Sequence, residues 1–485
     1  MSKFVSNILI LFSATLLGQI FGVLASPVLS RLYSPADFGV FQLFFSILTL
    51  IIISACLSYN NAINLPKKDE DAAHIVVLCL FLITVITCFS IVVLWIFSGM
   101  IVSLLNAPGL SGYLFLIPVA AITGSVAYVL GSWLSRRQQF GTIAQANLFS
   151  SVTGKTTSIG FGFFSPSPFG LIFGTIINDL TTTLVLLKKT RTDFGLFRQV
   201  RIEKIRDMAI RYKNFPKFSM PSNFTSEAAS QSVPFMLAIS FSPVVVGFYA
   251  MTYMIITLPL KLVGNSLSTV FYQKSCAERN RTGSINHVVK SVHTRLISIG
   301  IFICLVLMII GPELFAFILG AQWLTAGIYA QILAPWIFVV LISTPLISIL
   351  NVFEKQGANL GFNIILLTSR IIAVLIGGYL GDPVLCMVLL SVTGVIFWSW
   401  MNMYLLKLAG VSVRDALLDI LRFLSLGIIV SLPLIVAKII ALSILQVFGI
   451  AIVVTTTYYL IIVYQDPELK NGLMHFLRNI LPKKE

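Results

Sequence analysis

The chain has 485 residues, of which 57% are hydrophobic and only 11% charged, and its mean hydropathy is +0.95. A soluble domain carries roughly 25% charged residues, so a water-soluble protein is excluded and lipid must stand in for the missing polar surface. The formal charge of +15 would point to nucleic acid on a soluble fold. Beside this much apolar sequence it reads instead as membrane orientation, because cytoplasmic loops collect Lys and Arg.

A spanning helix needs about 20 largely apolar residues. In chain order such segments are predicted at 8–30, 38–58, 74–98, 112–134, 142–165, 168–188, 218–241, 244–272, 294–319, 326–352, 359–380, 383–407, 421–441 and 443–464, fourteen in all. The first contains Val23-Leu24-Ala25-Ser26, which looks like a signal-peptide cleavage site. Its apolar run is too long and only Lys3 precedes it, so it is expected to remain as a helix. The N-terminus, the connections after even-numbered spans and the C-terminal tail hold all Lys and Arg except Arg31, Lys155, Lys261, Arg370 and Lys438. That side is read as the cytoplasm, with both termini on it. It also holds every acid except Asp37, Asp179, Glu227, Glu313 and Asp382, so its segments account for the whole +15. The outward connections are short and nearly uncharged, which leaves no room for an outer domain.

The six cysteines fall mostly inside apolar runs and have no disulfide or zinc spacing. The four histidines, His74, His287, His293 and His475, sit singly near the ends of apolar runs, where a solvated interfacial place is expected. No metal or cofactor is implied.

The chain echoes itself. Ser34-Pro35 through Gly39 and Phe41 recurs as Ser242-Pro243 through Gly247 and Tyr249, each time opening the second helix of a half. Pro118, Gln139, Asn147 and Lys155 are echoed in order by Pro335, Gln356, Asn363 and Arg370. A duplication follows. Six helices per copy is an even number, so both copies enter from the same side, as parallel repeats about an axis along the membrane normal that enclose a central cavity. The expected organisation is an all-α polytopic membrane protein: a six-helix bundle over 1–190, a basic cytoplasmic linker over 191–217, a second six-helix bundle over 218–408, and two further spanning helices with a cytoplasmic tail over 409–485.

Ionisable residues inside a membrane are costly and functional by default. The embedded cations are Lys155, Lys261 and Arg370, each on the order of 16–20 Å from its cytoplasmic helix end at ~1.5 Å per residue, with Arg31 at the outer end of the first helix. The embedded acids are Asp179 and Glu227. A structural reading pairs Asp179 with Lys155 and Glu227 with Lys261. Three cations against two acids still leave an excess, and a cavity with surplus positive charge suits an anion, with Arg fitted to bidentate phosphate contacts and Lys acting as a point charge. Lys155, Lys261, Arg370 and Arg31 are therefore the candidate substrate-binding residues, and Asp179 and Glu227 the candidate ion-coupling groups. Gly154-Lys155-Thr156-Thr157 fails as a phosphate-binding loop because Phe149 stands where its first glycine belongs. Asn223-Phe224-Thr225 matches a glycosylation sequon but lies within a predicted span. The pairs Gly18/Gly22 and Gly170/Gly174 read as close helix packing within the bundle.

Arg31-Leu32-Tyr33-Ser34-Pro35-Ala36-Asp37-Phe38-Gly39 resembles the signature of the polysaccharide flippases, the lipid-linked oligosaccharide transporters of the multidrug/oligosaccharidyl-lipid/polysaccharide exporter superfamily, with Ala36 where an acidic residue is expected. Tyr212-Lys213-Asn214-Phe215-Pro216, Leu258-Pro259-Leu260, Gly311-Pro312-Glu313-Leu314-Phe315, Ile318-Leu319-Gly320-Ala321-Gln322-Trp323 and Ile332-Leu333-Ala334-Pro335-Trp336 are similar to that family in the same order. The resemblance implies two six-helix bundles forming a V around a cationic cavity in the bacterial inner membrane. It also implies export of an undecaprenyl-pyrophosphate-linked oligosaccharide repeat unit for O-antigen, capsule or exopolysaccharide assembly, with a glycan polymerase and a chain-length regulator as partners beside membrane lipid. No nucleic acid and no catalytic residue are implied. Two rivals are a multidrug cation antiporter of the same superfamily, which would want acids without competing cations, and a membrane glycan polymerase or ligase, which would want a sizeable outer loop.

Overall fold

The computed structural model describes residues 3–260, 271, 275, 278–279, 281–353 and 355–466, with side chains from residue 18 onward except at 351, 356, 359 and 360. Among the described residues there is no strand. The long helices, numbered in chain order, are α1 (Lys3–Leu32), α2 (Pro35–Ala55), α3 (Asp69–Leu104), α4 (Leu116–Arg136), α5 (Phe140–Phe164), α6 (Pro168–Thr190), α7 (Met220–Ser240), α8 (Pro243–Ile256), α9 (Asn286–Leu319), α10 (Leu324–Ser343), α11 (Gln356–Tyr379), α12 (Pro383–Leu408), α13 (Val413–Ile439) and α14 (Ile444–Gln465). Each predicted segment overlaps one of them, and among the described residues 11 helices are long and apolar enough to cross a membrane. The chain is thus an all-α, multi-pass membrane protein. α5 and α7 are not among the 11 because Asn147 and Lys155 in the one, and Asn223, Glu227 and Gln231 in the other, lower their hydropathy.

Local chemistry sets the helix ends. Ser34 caps α2 in a reciprocal box with Asp37, and Pro35 at the first turn costs no hydrogen bond there. Several predicted boundaries need correction. α2 stops at Ala55 rather than 58 because Leu57 and Ser58 take positive φ values of 48° and 62°. The predicted 326–352 helix breaks after Ser343 into a 3-10 turn, Thr344–Ser348, at Pro345, which has no amide to continue it. α9 begins eight residues earlier than predicted, at Asn286. The α9 backbone kinks at Ile310, just before Pro312, and the Met308 carbonyl that Pro312 leaves without its helical donor accepts from Gln331 Nε2 of α10 at 2.8 Å.

Packing divides the chain into two compact units, residues 1–251 with 363–386, and residues 252–362 with 387–485. In the first, Cys79, Ile83, Trp133 and Leu186 belong to a core that joins α3, α4 and α6. The segment read as a linker folds onto that core: short helices at Phe194–Arg198 and Ile202–Arg211 set Phe197, Ile205 and Met208 against it. Asp69 ties this end together, bound by Arg136 at 2.9 Å and by Arg137 at 2.5 Å, while Asp193 takes Arg137 and the indole N–H of Trp133, both at 3.0 Å. In the second unit α13 and α14 pack on α9. Tyr458 stacks on Phe302 with centroids 4.2 Å apart and donates to the Ser298 carbonyl at 2.9 Å.

Two histidines expected at a solvated interface are interior. His74 is 3% exposed, held by the Glu70 carbonyl at one ring nitrogen and the Arg201 amide at the other. His293 is 2% exposed and bonded to Asn402 at 3.1 Å. Both rings lie near the start of a long helix against a neighbouring segment, so hydrogen bonds replace the solvent they give up. His475 and Cys276 lie outside the described residues.

Candidate functional site

The embedded charges are placed by small-residue contacts between helices. Gly154 lets α5 approach α6 so closely that an added Cβ would lie 2.8 Å from the Gly174 carbonyl oxygen. Lys155 follows it, half-buried, and has no hydrogen bond or ion pair among the described residues. Asp179 is half-buried in α6 with its carboxylate beside Gly124 of α4, where a Cβ would lie 3.0 Å from Oδ2. No ion pair joins Asp179 to Lys155, so that structural bridge is not made among the described residues.

Arg370 projects from α11 to the Ala229 carbonyl of α7, 3.3 Å from Nη1. Glu227 lies two residues earlier on α7, with Oε1 taking the amide of Gln231 at 2.7 Å. Arg31 is exposed at the end of α1, where Nη1 donates to the Pro27 carbonyl at 2.9 Å. Lys261 lies outside the described residues, and its pairing with Glu227 with it. No hydrogen bond joins Lys155 to Arg370. The signature turn beyond Arg31 has a packing role: Tyr33 is fully buried and donates to the Ser158 carbonyl of α5 at 2.6 Å, and burial pushes its phenol up to about 12.

Sequence reasoning missed the polar chain that runs from α2 to α7. Ser46 donates to Gln231 Oε1 at 2.7 Å, Gln42 Nε2 reaches Ser46 at 3.2 Å, and Gln231 in turn donates to Glu227. The signal was present, since Gln42/Ser46 and Glu227/Gln231 are each polar pairs four residues apart inside predicted spans.

Two recesses open in the first unit. One, of about 490 Å³, is lined by Ser58, Asn60, Asn223 and Glu227 among others. The second, of about 710 Å³, is lined by Gln19, Asn147, Asn178 and Asp179 among others, and Tyr128 of α4 borders both. Lys155 lines neither recess, so the structure sets the two embedded carboxylates at cavities and the described cations apart from them.

Among the described residues, spanning helices thus carry embedded charges beside recesses of mixed polar and apolar lining. The profile of the polysaccharide biosynthesis protein family matches residues 28–327, and the chain belongs to that family. A comparison with curated protein sequences returns no match. Among solved structures, the lipid II flippase MurJ in its inward closed conformation is 16% identical with a TM-score of 0.70, over 94% of this chain and 99% of that one. An inward-facing multidrug resistance MATE family transporter of the MOP superfamily is 14% identical with a TM-score of 0.59, over 83% and 99%. A mutant of the Vibrio cholerae MATE transporter VcmN is 15% identical with a TM-score of 0.55, over 83% and 95%. The fold of this chain is the one these three structures share.

Proposed function

We propose that the protein is a flippase that carries an undecaprenyl-pyrophosphate-linked oligosaccharide repeat unit from the cytoplasmic to the outer face of the bacterial inner membrane, by alternating access, for O-antigen, capsule or exopolysaccharide assembly. The observation that carries this reading is Lys155, an embedded cation with no partner among the described residues. An ammonium in that setting gains a charge partner when an anion arrives. Arg370, at the echoing position, is the second phosphate ligand, with Lys261 and Arg31 completing the set. The two six-helix halves, 1–190 and 218–408, would rock about the bound head group while the polyprenyl tail stays in lipid. The termini lie in the cytoplasm, and a polymerase with its chain-length regulator takes the product outside.

With the cell interior negative, moving the anionic head outward is favoured by ~2.3 kcal/mol per charge per 100 mV. The reading is tested by replacing Lys155 and Arg370 with Gln in cells that depend on the protein for surface glycan. Loss of surface glycan with accumulation of the lipid-linked unit is expected. Wild-type glycan at normal protein abundance would overturn the assignment.

A second reading, a multidrug cation antiporter, has an observation of its own, because the carboxylates Asp179 and Glu227 line the recesses and Lys155 does not. It requires that organic-cation efflux depend on those carboxylates and not on Lys155.

A further inference from the structure

The smaller recess is chemically unlike the cationic site just proposed. Its polar lining comes from Thr49, Ser58, Asn60, Asn61, Asn223 and Glu227, with Tyr128 along one side, and no Lys or Arg is among the described residues that line it. A phosphate there would meet the Glu227 carboxylate without a compensating cation. An apolar drug would strand the carboxamides, which need hydrogen-bond partners once water is displaced. Sugar hydroxyls meet both conditions, because each is a donor and an acceptor, as a carboxamide is.

The polar groups are oriented before any ligand arrives. Glu227 Oε1 is fixed by Gln231, itself held by Ser46 of α2, while Oε2 has no protein donor among the described residues. Asn223 Nδ2 donates to Ser58 Oγ at 3.3 Å, and Asn60 Nδ2 donates to Asn61 Oδ1 at 3.0 Å. The Asn223 oxygen and the Asn61 amide group are thereby left for a ligand. Asn60 and Ser58 are 5% and 3% exposed, on backbone turned inward by the positive φ at Leu57 and Ser58. The volume of about 490 Å³ falls in the ~300–1,000 Å³ range of small-molecule sites.

We propose that this recess is the glycan-reading subsite, that it takes neutral or amino-bearing sugars through their hydroxyls, and that Glu227 rejects acidic ones. The inference rests on the lipid-linked-glycan reading and adds a division of labour to it. Cations hold the pyrophosphate, while carboxamides and one carboxylate read the sugar, which leaves Asp179 as the embedded group for ion coupling.

The test compares the affinity of the purified full-length protein for three probes: undecaprenyl pyrophosphate, the same lipid bearing one N-acetylhexosamine, and the same lipid bearing one hexuronic acid. The wild type is expected to bind the N-acetylhexosamine lipid about tenfold more tightly than the sugar-free lipid, and the hexuronate lipid no better than the sugar-free one. Asn61→Ala with Asn223→Ala brings the first ratio to about one. Glu227→Gln, nearly isosteric, raises affinity for the hexuronate lipid, a gain that misfolding cannot mimic. Equal wild-type affinity for the two sugar lipids, or no gain in Glu227→Gln, overturns the subsite. The cation reading fails on a different arm, if Lys155→Gln with Arg370→Gln leaves binding of the sugar-free lipid unchanged.

Discussion

Gly39 of α2 and Gly247 of α8 pack reciprocally: a Cβ on Gly39 would collide with the Pro243 carbonyl oxygen, and a Cβ on Gly247 would collide with the Pro35 carbonyl oxygen. The two echoing Ser-Pro turns therefore meet each other, backbone against backbone, at the first turns of the helices they open. Neither oxygen can step aside as a flexible side chain would. Gly39→Ala and Gly247→Ala are each expected to destabilise the purified protein by ~1–3 kcal/mol, the usual cost of overpacking a tight contact. The readout is the melting temperature in detergent, and an unchanged Tm in both variants would contradict this contact.

Asp193 links a fully buried tryptophan to a half-exposed arginine. Asp193→Ala leaves the Trp133 indole N–H without its acceptor, at a cost of ~1–3 kcal/mol. The Arg137 pair beside it is partly exposed and adds little once screening is counted. Raising the salt from low to about 1 M should therefore leave most of the Tm loss in place, because hydrogen bonding to a neutral indole is not screened. A loss that vanishes in high salt would assign the effect to the ion pairs instead.

The Ser46–Gln231 bond crosses from α2 to α7 inside the bundle. A double-mutant cycle of Ser46→Ala and Gln231→Ala should give a coupling of ~0.6–2 kcal/mol, the range for interhelical hydrogen bonds in membranes. Thermal or denaturant unfolding of the four proteins measures it. Strict additivity would mean that the two side chains do not depend on each other.

The spans were legible because twenty-residue apolar runs have no other use in a chain this poor in charge. The close packing at Gly174 was legible too, from its spacing to Gly170, and its partner is Gly154. What stayed hidden depends on backbone geometry that ordinary residues adopt without advertising it. Leu57 and Ser58 turn the chain inward with positive φ and no glycine or proline to mark the place, so Asn60 and Asn61 read as loop residues when they line a recess. His74 and His293 were misplaced for a related reason. A histidine near a helix end looks solvated until a second segment supplies its hydrogen bonds, as the Arg201 amide and Asn402 do. Lys155, by contrast, stood out from sequence alone, because a cation inside a predicted span is rare.

We propose that Lys155 receives the phosphate of a lipid-linked glycan during its passage across the membrane. The most direct measurement reconstitutes the protein into vesicles with a fluorescent undecaprenyl-pyrophosphate-linked oligosaccharide and follows its appearance on the opposite leaflet. Transfer is expected well above that of protein-free vesicles, faster when the starting side is made negative, and abolished by Lys155→Gln. Transfer in the Lys155→Gln protein at the wild-type rate would contradict it.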